Sequence, residues 1–221
     1  STPHPTQEYD QKVRQTIPFY EEFHRQAIDF VIHYCQEPKF WLDTGCGTGY
    51  LFELAIKEFP KCHFYLADPA EAMIRECCMR YKEYEDTQVT FFRPMTTQDI
   101  PDNLNNQLDV ITSIQAHQYM SKDERLKATS NCYRFLKPGG IYITFENIKF
   151  SHEKVNQMAL DRWMNFQKSQ GRENKTVKAH RERFQTDYFP ITAKNHLKVL
   201  NHAGFTHYDV FWQSHMQAGF F

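Results

Sequence analysis

Eleven residues, Lys39-Phe40-Trp41-Leu42-Asp43-Thr44-Gly45-Cys46-Gly47-Thr48-Gly49, constrain this chain more than any other stretch. An apolar run ends in an acid, glycines follow at alternate positions, and Leu51, Leu54 and Ala55 then fall on one face of the next segment. The pattern predicts strand, tight loop and helix, the opening of a nucleotide-binding α/β half, with a plain strand-to-helix turn as the competing reading. A residue without Cβ takes positive φ and lets the backbone approach a ligand, and the first turn of the helix offers it unpaired N–H groups. The dinucleotide fingerprint runs Gly-x-Gly-x-x-Gly. Here the spacing is Gly-x-Gly-x-Gly, and Tyr50 stands where that fingerprint has its last glycine. A nicotinamide oxidoreductase is disfavoured on that ground.

Downstream, His63–Ala67 reads as a second strand that ends at Asp68, nineteen positions after Gly49. An acid about 20 residues beyond such glycines is placed to accept hydrogen bonds from a ribose diol, with helix N-capping as the other use. Val89–Arg93 reads as a third strand, and Leu108–Ile114, almost continuously apolar, as a central parallel one. Ser121-Lys122-Asp123-Glu124 has the spacing of a capping box, and its helix is expected to turn Leu126, Tyr133 and Leu136 inward. A fifth strand, Ile141–Glu146, follows the turn Lys137-Pro138-Gly139-Gly140. Thr192 then caps a helix, and strands over Thr206–Trp212 and Met216–Phe221 pair antiparallel.

Ahead of the sheet lie a polar helix over Glu8–Thr16 with Tyr9, Val13 and Ile17 on one side, and a second helix striped by Phe19, Phe23, Ala27, Phe30 and Tyr34. Between 151 and 189 the chain is polar but helical, with Val155, Met158, Arg162, Trp163 and Phe166 on one face and a break at Gly171. The expected fold class is α/β: a Rossmann-like, doubly wound, mostly parallel seven-stranded sheet with an antiparallel C-terminal strand, N-terminal helices and a helical cap. One domain over 1–221 divides into lid helices (1–37), a cofactor-binding core (38–150), the cap (151–189) and a C-terminal helix and strand pair (190–221).

With 26 Lys+Arg against 27 Asp+Glu, the formal charge of -1 gives no general drive toward nucleic acid or an anionic membrane, though RNA as a substrate stays open. No apolar run approaches the roughly 20 residues that span a bilayer, and Ser1–Thr6 lacks a signal-peptide core, so a cytoplasmic protein is expected. The six cysteines form no Cys-x-x-Cys pair, which predicts reduced thiols and no metal site.

As a set, Leu42–Gly49, Asp68 before Pro69, and Leu136-Lys137-Pro138-Gly139-Gly140 resemble the motifs of class I S-adenosylmethionine-dependent methyltransferases, over roughly Phe40–Phe221. Tyr9-Asp10, Arg14, Ile17-Pro18-Phe19-Tyr20 and the layout from Lys137 onward are similar to the branch that includes carboxy-S-adenosylmethionine synthase. The resemblance implies S-adenosylmethionine as cofactor. Gly45, Gly47 and Gly49 would line its methionine part and ribose, Asp43 would support the loop or the amino group, and Asp68 would bind the ribose hydroxyls. Pro69 would lie near the adenine, where Thr96 stands in place of an Asp found in many relatives and Thr97 is the alternative contact. Cys46, Met73 and Ile114 complete the cofactor set.

Gln115 and His117 match the segment bordering the sulfonium, and Tyr20 an N-terminal lid. His117, Tyr20 and Gln115 are therefore the catalytic candidates. His117 is the first choice of general base because its ordinary pKa lies near 6.5, with His24 and Glu146 behind it and a local structural role competing. Tyr20, His24, His117, Trp163 and Arg181 are the substrate-binding candidates. The activity implied is in-line methyl transfer to a small-molecule acceptor, with homodimerisation left open. Two alternatives stand: a carboxy-S-adenosylmethionine synthase, which would use prephenate and need a cationic site such as Arg181, and a non-catalytic S-adenosylmethionine-binding module.

Overall fold

The apolar run before the glycines forms strand β1 (Phe40–Thr44). It is joined by β2 (His63–Ala67), β3 (Val89–Phe91), β4 (Leu108–Ile114), β5 (Leu136–Asn147), β6 (Val210–Ser214) and β7 (Gln217–Phe220) in one sheet of order β3-β2-β1-β4-β5-β7-β6. This computed structural model describes residues 8–221, so the reading of Ser1–Thr6 lies outside the described residues. β1 to β5 pair in parallel, with Leu42 between Tyr65 and Ile111, whereas β7 runs antiparallel to β5 and to β6.

Helices α1 (Tyr9–Thr16), α2 (Tyr20–Tyr34), α3 (Tyr50–Glu58), α4 (Glu71–Arg80), α5 (Lys122–Phe135), α6 (Glu153–Ser169), α7 (Asn174–Glu182) and α8 (Ala193–Ala203) complete the chain. Side chains alternate across a strand, so each central strand feeds two cores. Trp41, Val110 and Ile143 pack with Phe23 and Val31 of α2 and Phe52 of α3, while Leu42, Ile111 and Tyr142 pack with Cys132 and Phe135 of α5 and Leu200 of α8. Helices on both faces make the sheet doubly wound. Among the described residues no helix is long and apolar enough to cross a membrane.

Helix faces depart from the expected stripes more than strands do. In α2 the buried row is Tyr20, Phe23, His24, Ala27, Ile28 and Val31, while Phe19 and Tyr34 are 49% and 52% exposed. Phe19 has φ 60°, a left-handed entry that swings its ring toward Trp212 and His215 at 6.1 and 5.7 Å. In α5 the inward face is Arg125, Ala128, Thr129, Asn131, Cys132 and Phe135, and Tyr133 is half-exposed. Leu136 is buried as the first residue of β5, because α5 runs into that strand without a separate loop. The capping box is formed, the Ser121 hydroxyl accepting from the Glu124 N–H and the Glu124 carboxylate from the Ser121 N–H.

In α6 the buried residues are Asn156, Ala159, Leu160 and Gln167, whereas Val155 and Met158 are exposed. Asn156 Oδ1 accepts there from Phe150 N at 3.2 Å and Gln167 Oε1 lies 2.9 Å from His180 Nδ1, whereas Gln167 Nε2 has no partner among the described residues. β6 begins at Val210, four residues later than the sequence suggested, with irregular backbone over 205–209.

Candidate active site

The glycine loop is shaped by two close approaches. Gly45 has φ 80°, and a Cβ built there would sit 2.3 Å from the Ala116 Cβ, so only glycine lets the loop after β1 meet the turn after β4. Gly47 has φ 57°, but a Cβ there would meet nothing within 4 Å, because the residue borders open space. Gly47 N–H donates to Asp68 Oδ2 at 2.9 Å and Ala70 N–H to Oδ1 at 2.8 Å, so the acid at the tip of β2 holds the loop and the entry to α4 together. Burial raises the Asp68 carboxyl pKa, and those two N–H groups oppose the rise.

Beyond the loop, a cavity of about 320 Å³ opens at the carboxyl ends of β1, β2 and β4. Its floor is Gly45, Gly47, Asp68, Pro69, Ala70 and Met73 on one side, and Thr96, Gln98, Ile114, Gln115 and Ala116 on the other. The roof is α1, through Tyr9, Val13, Thr16 and the following Ile17, with Tyr119, Met120 and Glu124 closing the side. Among the described residues the charged lining groups are the two carboxylates Asp68 and Glu124, with no Lys, Arg or His. The Tyr9 hydroxyl is bonded to that of Tyr20, and burial raises its pKa and that of Tyr119, with Asp68 adding to both shifts. Both phenols are therefore neutral at ordinary pH.

The cap touches the cavity walls at α1 and, through Tyr188 against Tyr119 at 6.3 Å between ring centroids, at the turn after β4. Trp163 Nε1 donates to the Thr16 carbonyl at 2.7 Å, and Arg172 Nη1 donates to the Lys12 carbonyl at 3.2 Å and to the Thr16 hydroxyl. On the other side of α1, Asp10 accepts from the Thr48 hydroxyl of the glycine loop at 2.7 Å and pairs with Arg80 of α4.

Of the residues expected around a cofactor, Gly45, Gly47, Asp68, Pro69, Met73, Thr96 and Ile114 line the cavity, as does Gln115. Asp43, Cys46, Gly49 and Thr97 are outside the lining. Asp43 is buried and accepts from Thr112 Oγ1 at 2.8 Å, and its carboxyl is pushed up to about 7 by burial, with the Asp68 charge adding to it. Thr97 Oγ1 bonds to Thr44 Oγ1 at 2.6 Å and to His117 Nε2 at 3.1 Å.

His117 is 2% exposed and does not reach the cavity. Its Nδ1 meets the Tyr142 hydroxyl at 3.2 Å, so Thr97 and Tyr142 occupy both ring nitrogens, and burial, with the Arg125 charge adding, pushes its pKa down to about 3. It is a neutral packing group below the sheet end. His24 is likewise buried, donates from Nδ1 to the Tyr20 carbonyl at 2.6 Å and is pushed down to about 4 by burial. Tyr20 packs behind α1 against His24 and Tyr50 at 4.6 and 5.8 Å between ring centroids. Trp163 acts on α1 from outside the cavity. Arg181 pairs with Asp161 and donates to Gln157 Oε1 at 2.6 Å on the cap.

The roof residues are what sequence reasoning missed. Tyr9, Val13 and Ile17 recur every four residues, a signal that marks one side of a helix but not what that side faces, and Tyr119 and Met120 carried no local signal.

Comparison with known proteins bears on the family and the fold. Residues 42–140 match the family described as a methyltransferase domain. The carboxy-S-adenosyl-L-methionine synthase of Shewanella sediminis is 24% identical over 209 residues, covering 93% of this chain and 84% of that protein. The fold is similar to the YcgJ protein of Bacillus subtilis (TM-score 0.62, 17% identity, 86% of this chain and 71% of that one). It is also similar to phosphoethanolamine N-methyltransferase 2 of Haemonchus contortus in complex with S-adenosyl-L-methionine (TM-score 0.58, 19% identity, 84% of this chain and 38% of that one). Together the fold, the methyltransferase-domain match over residues 42–140 and these relatives support a class I S-adenosylmethionine-dependent methyltransferase. The particular proteins whose sequences run alongside most of this chain are named carboxy-S-adenosyl-L-methionine synthases, at 21–25% identity.

Proposed function

We propose that this enzyme methylates a small, partly apolar acceptor held between the cavity floor and α1. One observation carries the reading: the cavity joins a carboxylate-bearing cradle to an apolar and phenolic roof with no cationic side chain among its described lining residues. The cradle fits the cofactor, because Gly47 leaves open space and Asp68 faces the cavity with lone pairs for a ribose diol. Met73 and Thr96 would flank the adenine, and Ile114 and Gln115 the sulfur end. When bound, S-adenosylmethionine supplies an electrophilic methyl carbon.

The chain contributes position. Val13, Ile17 and Met120 offer apolar contact and exclude water, and the neutral hydroxyls of Tyr9 and Tyr119 offer hydrogen bonds that orient a polar group on the acceptor. Alignment of this kind supplies on the order of 7 kcal/mol or more in well-oriented systems.

The named relatives favour a second reading, a carboxy-S-adenosylmethionine synthase acting on prephenate. That chemistry calls for a cation beside a carboxylate, and Arg181 is engaged by Asp161 and Gln157. Mass spectrometry of the nucleoside that co-purifies with the protein separates the two. S-adenosylmethionine or S-adenosylhomocysteine is expected, and a heavier, acidic, carboxylated nucleoside would overturn methyl transfer. Incubation with methyl-labelled S-adenosylmethionine and a metabolite extract should then label a small product. Tight cofactor binding without any labelled product would point to a non-catalytic binding module.

A further inference from the structure

Gln115 and Ala116 form part of the cavity floor. Gln115 is still tied to the sheet, its N–H donating to the Phe145 carbonyl and its Nε2 to Gln217 Oε1, each at 2.7 Å, but from Ala116 onward the chain leaves it. Gln115 has φ 56°, a left-handed residue directly after β4, and the chain then makes a 3-10 turn over His117–Tyr119. The N-terminal N–H groups of that turn need acceptors. Both find one carboxylate: Glu146, near the end of β5 and 1% exposed, accepts the His117 N–H on Oε1 at 3.0 Å and the Gln118 N–H on Oε2 at 2.9 Å. The Thr144 hydroxyl, 2.8 Å from the Ser113 carbonyl, also lies 3.1 Å from Oε1. From α5, Arg125 Nε donates to the His117 carbonyl at 3.1 Å and its Nη2 to the Phe189 carbonyl at 2.7 Å. The turn is thus gripped on its N–H side by an acid and on its C=O side by a base, neither of which lines the cofactor cavity.

We propose that Glu146 is a positioning residue: as a carboxylate it fixes the turn that presents Ala116 and Tyr119 to the cofactor cavity, and its protonation loosens that cavity. The inference rests on the reading that the cavity binds S-adenosylmethionine. A carboxylate accepts on both oxygens, whereas the protonated acid converts one oxygen to a hydroxyl and leaves one buried N–H poorly matched.

Burial pushes the Glu146 carboxyl up to about 7, opposed by the Arg125 charge and the two backbone N–H groups. The other titratable groups around the same small buried hollow are His117, Tyr142 and His196 of α8. Burial lowers the pKa of both histidines to about 3 and raises that of the tyrosine, so all three stay neutral while Glu146 titrates. The carboxylate is present above its pKa and lost as pH falls through about 7, so cofactor affinity should weaken on acidification.

Calorimetric titration of the full chain with S-adenosylhomocysteine between pH 5.5 and 8.5 tests this. Wild type should lose affinity about tenfold toward acid, the ratio that one unmatched buried amide represents. Glu146→Gln keeps the shape but turns amide hydrogens toward a backbone N–H, and should bind about tenfold more weakly at high pH with a shallower profile than wild type, the remaining slope being that of Asp43 and Asp68. A merely structural glutamate would lower stability without flattening the profile. Carboxyl carbon NMR of the wild type, which needs no variant to fold, should show a Glu146 midpoint that matches the affinity midpoint and moves to lower pH when the ligand is bound. A flat wild-type profile, or a Glu146→Gln profile as steep as wild type, overturns the proposal. Wild type that binds at no pH overturns the cofactor reading instead.

Discussion

Substituting Gly45 with alanine tests how the cofactor loop is built. Two costs arise at that position: the backbone sits at φ 80°, and the new Cβ would lie 2.3 Å from the Ala116 Cβ. A left-handed conformation costs a residue with Cβ about 1–2 kcal/mol, and an overpacked methyl about 1–3 kcal/mol, so Gly45→Ala should lose about 2–5 kcal/mol. Gly47→Ala is the internal control. Its φ is 57° but its Cβ meets nothing within 4 Å, so only the conformational cost of about 1–2 kcal/mol applies. Its methyl borders the cavity, however, and should weaken S-adenosylhomocysteine binding more than it lowers stability.

The overlap at Gly45 can be relieved from the other side. Adding Ala116→Gly to Gly45→Ala removes the clashing Cβ and leaves the Ala116 Cα, 3.6 Å away, as the next neighbour. The double variant should recover about 1–3 kcal/mol, less the roughly 0.5–1 kcal/mol that a flexible glycine costs. Urea unfolding at constant m-value measures all four proteins. If Gly45→Ala is no less stable than Gly47→Ala, or if Ala116→Gly restores nothing, the close meeting of the two loops is not what demands glycine.

Two further outcomes follow from the site. His117 stays neutral to about pH 3 when folded but takes up a proton near 6.5 when unfolded, so the unfolded chain binds more protons between those values and stability is lost as pH falls from 6.5. His117→Gln should flatten the wild-type decline between pH 6 and 4 by up to about 1.4 kcal/mol per pH unit, the slope for one proton, and equal slopes would refute a buried neutral imidazole. Trp163→Phe removes the donor to the Thr16 carbonyl and should cost about 0.5–1.5 kcal/mol while speeding amide hydrogen exchange in α1; unchanged exchange would mean that the cap does not fasten the roof.

The strands were legible because each announces itself locally. β2 and β4 fall on the segments marked by largely apolar runs, and Asp68 follows its strand where the glycine spacing placed it. The helical faces were harder, because α5 and α6 turn polar and small residues inward and hydrogen-bond several of them to partners remote in sequence. Asn131 Nδ2, for example, donates to the Thr97 carbonyl at 3.2 Å. His117 illustrates the same limit at the site. Its position after a central strand is readable, but the left-handed Gln115 redirects the chain, so Gln115 lines the cavity while His117 meets Thr97 and Tyr142 beneath it. No local pattern reports a side chain's direction after such a turn.

The manner in which α1 is fastened bears on how this site can change over evolutionary time. Trp163 and Arg172 grip the helix at the carbonyl oxygens of Lys12 and Thr16 and at the Thr16 hydroxyl, while Val13 and Ile17 face the cavity. A roof held largely by its main chain can exchange its inward side chains without being unfastened. Positions 13 and 17 are therefore free to resize the acceptor space while the loop, Asp68 and the cap remain as they are.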